Sequence, residues 1–175
     1  MRRVAAIAMA ALLAVTASAC GSDGASSTAT TIASADTCAP AARAKCRDAD
    51  LAGADLAGLM LAGIDLRGAD LSGAKLSAVN LTDANLVGAN LSGADLSGAV
   101  LVRTALSETD LTNANLARAR LTSAKFTGAN LAGADLTGAF ATDANFTGAT
   151  GLDDPSILFL CNTTGPDGVV LEPAC

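Results

Sequence analysis

From Leu51 to Phe146 the chain places Leu or Phe at every fifth position, and Ala141 is the only exception in twenty. Two residues before these the side chain is small in most units, Ala in fifteen of the twenty from Ala49 to Ala144. The position directly before is Asp or Asn in thirteen units, among them Asp50, Asp55, Asn85, Asn130 and Asp135. The second position after it is Gly in twelve, including Gly53, Gly73, Gly93 and Gly133. A period of five fits neither common element. In an α-helix five residues advance the side-chain direction by about 140°, which would wind the leucines around every side. On a straight strand an odd spacing throws successive leucines onto opposite faces. All of them face one interior only if the chain turns about once per unit. Gly accepts the positive φ that such turns use, and Asx side chains bond nearby backbone. Short turning segments cannot pair their own peptide groups, so the pattern predicts hydrogen bonds between stacked coils, with Ala where the coils crowd the axis.

Composition agrees with a narrow core. Apolar residues make up 51% of the chain, mostly Ala and Leu, with four Phe and no Trp or Tyr. Such side chains cannot fill a broad two-layer core at normal density, but they can fill a thin one. There is no His, and the formal net charge is −6. That charge opposes binding to DNA or anionic lipid through phosphate neutralisation.

Units such as Ala54-Asp55-Leu56-Ala57-Gly58 and Ala89-Asn90-Leu91-Ser92-Gly93 resemble the A(D/N)LXX signature of the pentapeptide-repeat family. The likeness runs from Ala49 to Gly148 without an insertion. The resemblance implies an all-β fold, a right-handed quadrilateral β-helix with four units per coil and Leu, Phe and Ala lining its interior. Twenty units would make five coils, a rod about 25 Å long at the usual strand spacing. It also brings two family properties as expectations. Some members resemble B-DNA and inhibit or protect gyrase, and homodimers form by stacking solenoid ends.

The flanks divide further. Residues 1–19 have the form of a signal peptide, with Arg2 and Arg3 ahead of an apolar stretch from Val4 to Ala17 that is too short to span a bilayer as a helix. Ala17-Ser18-Ala19-Cys20 fits both an A-x-A secretory cleavage site and a bacterial lipobox, the latter with Ala17 where Leu is usual. Cysteine parity favours lipidation of Cys20, because Cys38, Cys46, Cys161 and Cys175 can then pair completely in an oxidising compartment. The alternative is a secreted soluble protein with one free cysteine. Residues 20–37, rich in Ser, Thr, Ala and Gly, read as a flexible tether. Residues 38–48 read as an N-terminal cap, 49–150 as the solenoid and 151–175 as a C-terminal cap, since an open final coil exposes core and unpaired backbone. Cys46 falls five residues before Leu51, an inward position, and a bridge to Cys38 would fasten the lead-in. The segment Cys161-Asn162-Thr163-Thr164-Gly165-Pro166-Asp167-Gly168, closing at Cys175, resembles the C-terminus of some exported relatives, which implies a second bridge. Sequence alone leaves the connectivity open.

With four units per coil, outward positions align in four rows. Three are mainly Asp and Asn. The third runs Met60, Asn80, Val100, Arg120, Phe140, with Arg103 and Arg118 at its borders. An apolar row with a basic rim marks a contact face for a protein partner; ordinary variation on a tolerant scaffold is the simpler account. No catalytic, cofactor-binding or metal-binding residue is expected. Asp50 and Asp70 recur at the repeat spacing on a convex surface, without a His or a pocket beside them, and no loop of graded oxygen ligands suits Ca²⁺. Nucleic acid is not expected as a ligand, for want of bases and aromatic surface. A gyrase-directed DNA mimic is the alternative function. It is disfavoured because Arg47 to Thr150 carries eleven acids and seven bases, against about 15 charges on B-DNA of that length, and because gyrase is cytoplasmic. The expected function is a non-catalytic structural or protein-interaction module displayed at the bacterial cell envelope. Its partner would be a protein or another envelope component, with membrane attachment if Cys20 is acylated.

Overall fold

Every repeat makes the same local move. Ala54 donates its N–H to the carbonyl of Leu51 (3.0 Å), closing a turn over Ala52 and Gly53. Gly53 has φ of 65°, and a left-handed residue in the third place marks a type II turn. Four such turns bring the chain back beneath itself. In the computed structural model, which describes residues 38–152 and 161–171, Asp50 bridges Asp70 in parallel, and the same shift joins Asp55 to Lys75, Met60 to Asn80 and Asp65 to Asn85. A coil is therefore twenty residues. The expected signal peptide, Cys20, the tether and Cys175 lie outside the described residues.

Three backbone bonds per unit tie one coil to the next. Asp70 donates to the carbonyl of Ala49 (2.9 Å), Leu51 to that of Asp70 (2.7 Å) and Gly53 to that of Ser72 (2.8 Å). Each unit thus satisfies through its neighbours the peptide groups that it cannot pair internally. Inside, every Leu or Phe of the inward row from Leu66 to Leu131 is fully buried, and Phe126 and Phe146 stack one coil apart with ring centroids 4.7 Å and planes 8° apart. Ala141, the one break in the Leu/Phe row, falls on the face next to these rings, where a small residue offsets their extra volume. Thr104, Thr109 and Thr163 occupy the inward place usually held by Ala. Their hydroxyls donate to the carbonyls of Leu81 (2.8 Å), Leu86 (3.0 Å) and Ala141, so these buried polar groups are satisfied.

The coil begins before Ala49. Lys45 already bridges Asp65, Arg43 donates to the carbonyl of Ala62 (2.9 Å), and Cys46, 1% exposed, fills the inward place. Cys38 is disulfide-bonded to Cys46, with their Cα atoms 5.1 Å apart. At the other end the ladder reaches Thr150, opposite Asn130, and resumes with Thr164 opposite Asn145. That last step is one residue short of the coil repeat. Thr163 consequently takes the small inward place, and Gly165 is buried where Leu would stand. Strand β1 (Thr163–Thr164) then pairs antiparallel with β2 (Val170–Leu171). Their connection is closed by Gly168 donating to Gly165 (3.0 Å) and Gly165 donating to Val169 (2.8 Å). A returning strand offers no parallel register to a further coil, so the stack ends there. Cys161 is also disulfide-bonded.

Candidate interaction face

The Asp and Asn residues of the outward rows turn back onto their own backbone. Asp50 accepts from the N–H of Ala52 (3.3 Å), Asp70 from Ser72 (2.9 Å) and Asn115 from Ala117 (3.0 Å), each an Asx bond two residues on. Amides also link coils: Asn90 donates to Asp70 and Asn115 to Asp95, both at 3.1 Å. The Ser72 N–H, with the Ser72 hydroxyl and the Asn90 amide, holds the carboxyl of Asp70 below the ordinary range. The Thr137 hydroxyl and N–H do the same for Asp135. Most of the acidic residues are therefore part of the scaffold.

Ion pairs join neighbouring coils, apart from Arg67 with Asp65, two residues apart. Asp65 sits between Arg47 (2.7 Å) and Arg67 (2.8 Å), and Lys75 lies 3.7 Å from Asp55. Arg103 grips both carboxylate oxygens of Asp83 at 2.6 and 2.7 Å. That grip lowers the pKa of Asp83 and raises that of Arg103.

The third face departs from this arrangement. Asn80 makes the Asx bond to Thr82 (3.0 Å), whereas Met60, Val100, Arg120 and Phe140 have side chains that cannot accept one. Met60 is 66% exposed and Phe140 48%; Arg120 is exposed and Val100 half-buried. Phe140 is already engaged in a contact. Arg103 borders the face but is neutralised by Asp83, while Arg118 and Arg120 have no ion-pair partner among the described residues. A shallow open depression lies at the Arg118 corner, lined by Ser97, Gly98, Ala117, Arg118, Asp135 and Thr137. Among the described residues no cluster of His, Cys, Asp or Glu could hold a metal ion, and no helix is long and apolar enough to cross a membrane.

One feature of the surface was not visible in the residue pattern. The corner conformation persists where Gly is missing: Arg103, Glu108, Asn113, Arg118 and Ser123 are all left-handed, with φ between 55° and 59°. These five successive corners carry side chains around one full turn of the rod.

The family model for pentapeptide repeats matches eight copies over residues 44–83, 74–113 and 114–150. The chain belongs to the pentapeptide-repeat family. Its fold is accordingly the right-handed quadrilateral β-helix. Among solved structures, this pentapeptide-repeat chain is similar to the pentapeptide repeat protein Rfr23 from the cyanobacterium Cyanothece 51142. The identity is 28%, covering 73% of this chain and 91% of that one, with a TM-score of 0.46. A pentapeptide repeat protein from Nostoc PCC 7120 is 34% identical over 66% of this chain and 84% of its own, with a TM-score of 0.39. QnrB1, a plasmid-mediated fluoroquinolone resistance protein, is 19% identical over 74% and 77%, with a TM-score of 0.42. No curated protein matches. Pentapeptide-repeat proteins are generally non-catalytic structural or interaction proteins.

Proposed function

We propose that this rod is a non-catalytic protein-interaction module displayed at the bacterial cell envelope, with its third face as the contact surface. One observation carries this reading. Met60, Val100 and Arg120 forgo the backbone bond that every Asp and Asn in the outward rows makes, so the scaffold gives up local stability there for side chains that no ion pair or hydrogen bond engages among the described residues. Two unpaired arginines beside exposed apolar groups suit a partner better than they suit solvent. Display at the envelope is supported by the basic and apolar opening of the chain, by Cys20 after Ala19, and by the disulfide that fastens the lead-in to the first coil.

The test is crosslinking in the native envelope from photoreactive residues at Met60 and Val100, with Asp55 and Asp95 as controls. Capture confined to the first pair supports the contact face, whereas equal capture or none overturns it. Mass spectrometry of the mature N-terminus separates an acylated Cys20 from a free one.

A further inference from the structure

We infer that the third face docks against the first face of a second copy, so that rods associate side by side. This rests on the third face being a contact surface, and it names the occupant.

The two faces lie on opposite sides of the four-sided coil. On the third side, Arg118 and Arg120 have no ion-pair partner among the described residues. On the first side, Glu108 and Asp110 likewise have no cationic partner. All four fall within a single coil. Asp48, Asp50 and Asp70 continue the acidic strip toward the N-terminal end, and no base interrupts the outward row Asp50, Asp70, Asn90, Asp110, Asn130.

Height along the rod follows residue number, because one twenty-residue coil climbs about 4.8 Å. Residues ten apart therefore differ in level by only about 2.4 Å. A neighbour displaced sideways, without rotation, brings its Asp110 to the level of Arg120 and its Asn113 to the level of Arg118. The same displacement sets Asp70 against Asn80, and Asn90 against Val100. The unpaired Asp110 meets the unpaired Arg120, with Arg118 beside that pair against the Asn113 amide; of the apolar groups, Val100 meets the Asn90 amide and Met60 meets Asp50. Phe140 is not needed for this contact.

Such a contact is heterologous. Each rod keeps one first face and one third face free, so copies add in open rows instead of closed dimers. One side of a five-coil rod is much smaller than the roughly 800 Å² per partner of a stable interface. The association is accordingly weak, and it weakens further with salt.

The experiment uses the purified mature chain in sedimentation velocity at concentrations up to about 1 mM, with photocrosslinking from Val100. Wild type is expected to associate with increasing concentration, at least tenfold less strongly at high salt than at low salt. R118E/R120E is expected to stay monomeric while melting like wild type. E108R/D110R is expected to stay monomeric but to melt slightly lower, because Asp110 no longer accepts from the Thr112 N–H (2.9 Å). E108R alone, which keeps that bond, is expected to weaken association while melting like wild type. An equimolar mixture of the two double variants is expected to associate again, with crosslinks from Val100 of one copy to the Asn90–Asp110 region of the other. A wild type that stays monomeric throughout, an association indifferent to charge reversal, or a mixture that fails to recover would each overturn the inference. Capture of a different protein from Met60 and Val100 in the envelope, without self-crosslinks, would remove this occupant and leave the contact face standing.

Discussion

At the residue scale, the corners decide what the chain tolerates. Ala78 holds φ of 54°, where an L-residue crowds the following carbonyl by about 1 kcal/mol. Ala78→Gly is expected to raise the unfolding free energy in urea by roughly 0.5–1 kcal/mol, because relief of that strain outweighs the entropy glycine adds to the unfolded chain. The reverse change at Gly151 differs in kind. A Cβ there would lie 2.4 Å from the Ala132 nitrogen and 2.5 Å from its Cα, with φ already +76°. Backbone atoms cannot swing aside, so Gly151→Ala should cost about 2 kcal/mol or more, read as a lower urea midpoint. The sequence made the glycine corners legible, since Gly recurs at one position of the repeat. It showed Gly lost between Arg103 and Ser123 without showing that the left-handed geometry continues there. That geometry is set by bonds between coils, such as Arg103 donating to Thr122 (2.9 Å), and no local residue preference reports it.

At the scale of the coil, each turn depends on its neighbours, so damage should remain local. Cys38 and Cys46 enclose a short loop, eight residues apart in sequence. Reducing the bridge should cost up to about 2.5 kcal/mol in the chain-entropy account. Hydrogen exchange should then quicken at the amides of Arg43, Cys46 and Asp65 and stay unchanged at Leu91; faster exchange throughout the rod would contradict a local clasp. Acid acts more broadly. Asp70, Asp83 and Asp135 have lowered folded-state pKa values, so the folded state binds fewer protons than the unfolded chain. Their stabilisation is complete above the ordinary carboxylate value near about 4 and is lost as pH falls through the lower folded values. Urea midpoints should therefore be level from neutral pH to about 5 and decline below about 4. The D70N/D83N/D135N variant should show a flatter acid limb, with a modest difference because Asp83 and Asp135 are exposed and Asp70 is only half-buried. The inward leucines were legible from the period alone, and the four units per coil from the family resemblance. The one-residue shift at Thr164 was not, because it depends on how the backbone rejoins the ladder after residues 153–160. The hydroxyl bonds of Thr104 and Thr109 were also hidden, since they run to carbonyls of the preceding coil.

At the scale of the molecule, the surface is unevenly used. The first and second faces spend most of their acidic groups on the scaffold, which accounts for a net negative chain without a DNA-like density of free charge. The third face was legible as an irregular row. Its sharper definition required the structure, which bound Arg103 to Asp83 and engaged Phe140, leaving Arg118 and Arg120 as the unpaired cations. The interior, by contrast, carries no information about a partner, because Leu at every inward place serves the fold alone.

The two closures of the rod are in phase. Lys45, beside the Cys38–Cys46 clasp, and Thr164, in the terminal hairpin, stand on the same fourth face. Length and orientation are therefore separable. Removing residues 70–89 takes out one whole coil and joins Ala69 to Asn90, keeping both the repeat and the alignment. The shortened protein should fold with its ends still facing one way, closer by about 4.8 Å, as measured between spin labels at positions 45 and 164. Removing only residues 85–89 should also preserve the repeat but swing the hairpin a quarter turn from the clasp, scrambling every outward row between the two halves. If the family's rods lengthen by gain of units, only gains in fours leave the surface pattern intact, and the third face of this chain is readable as one row because its count of units has kept that phase.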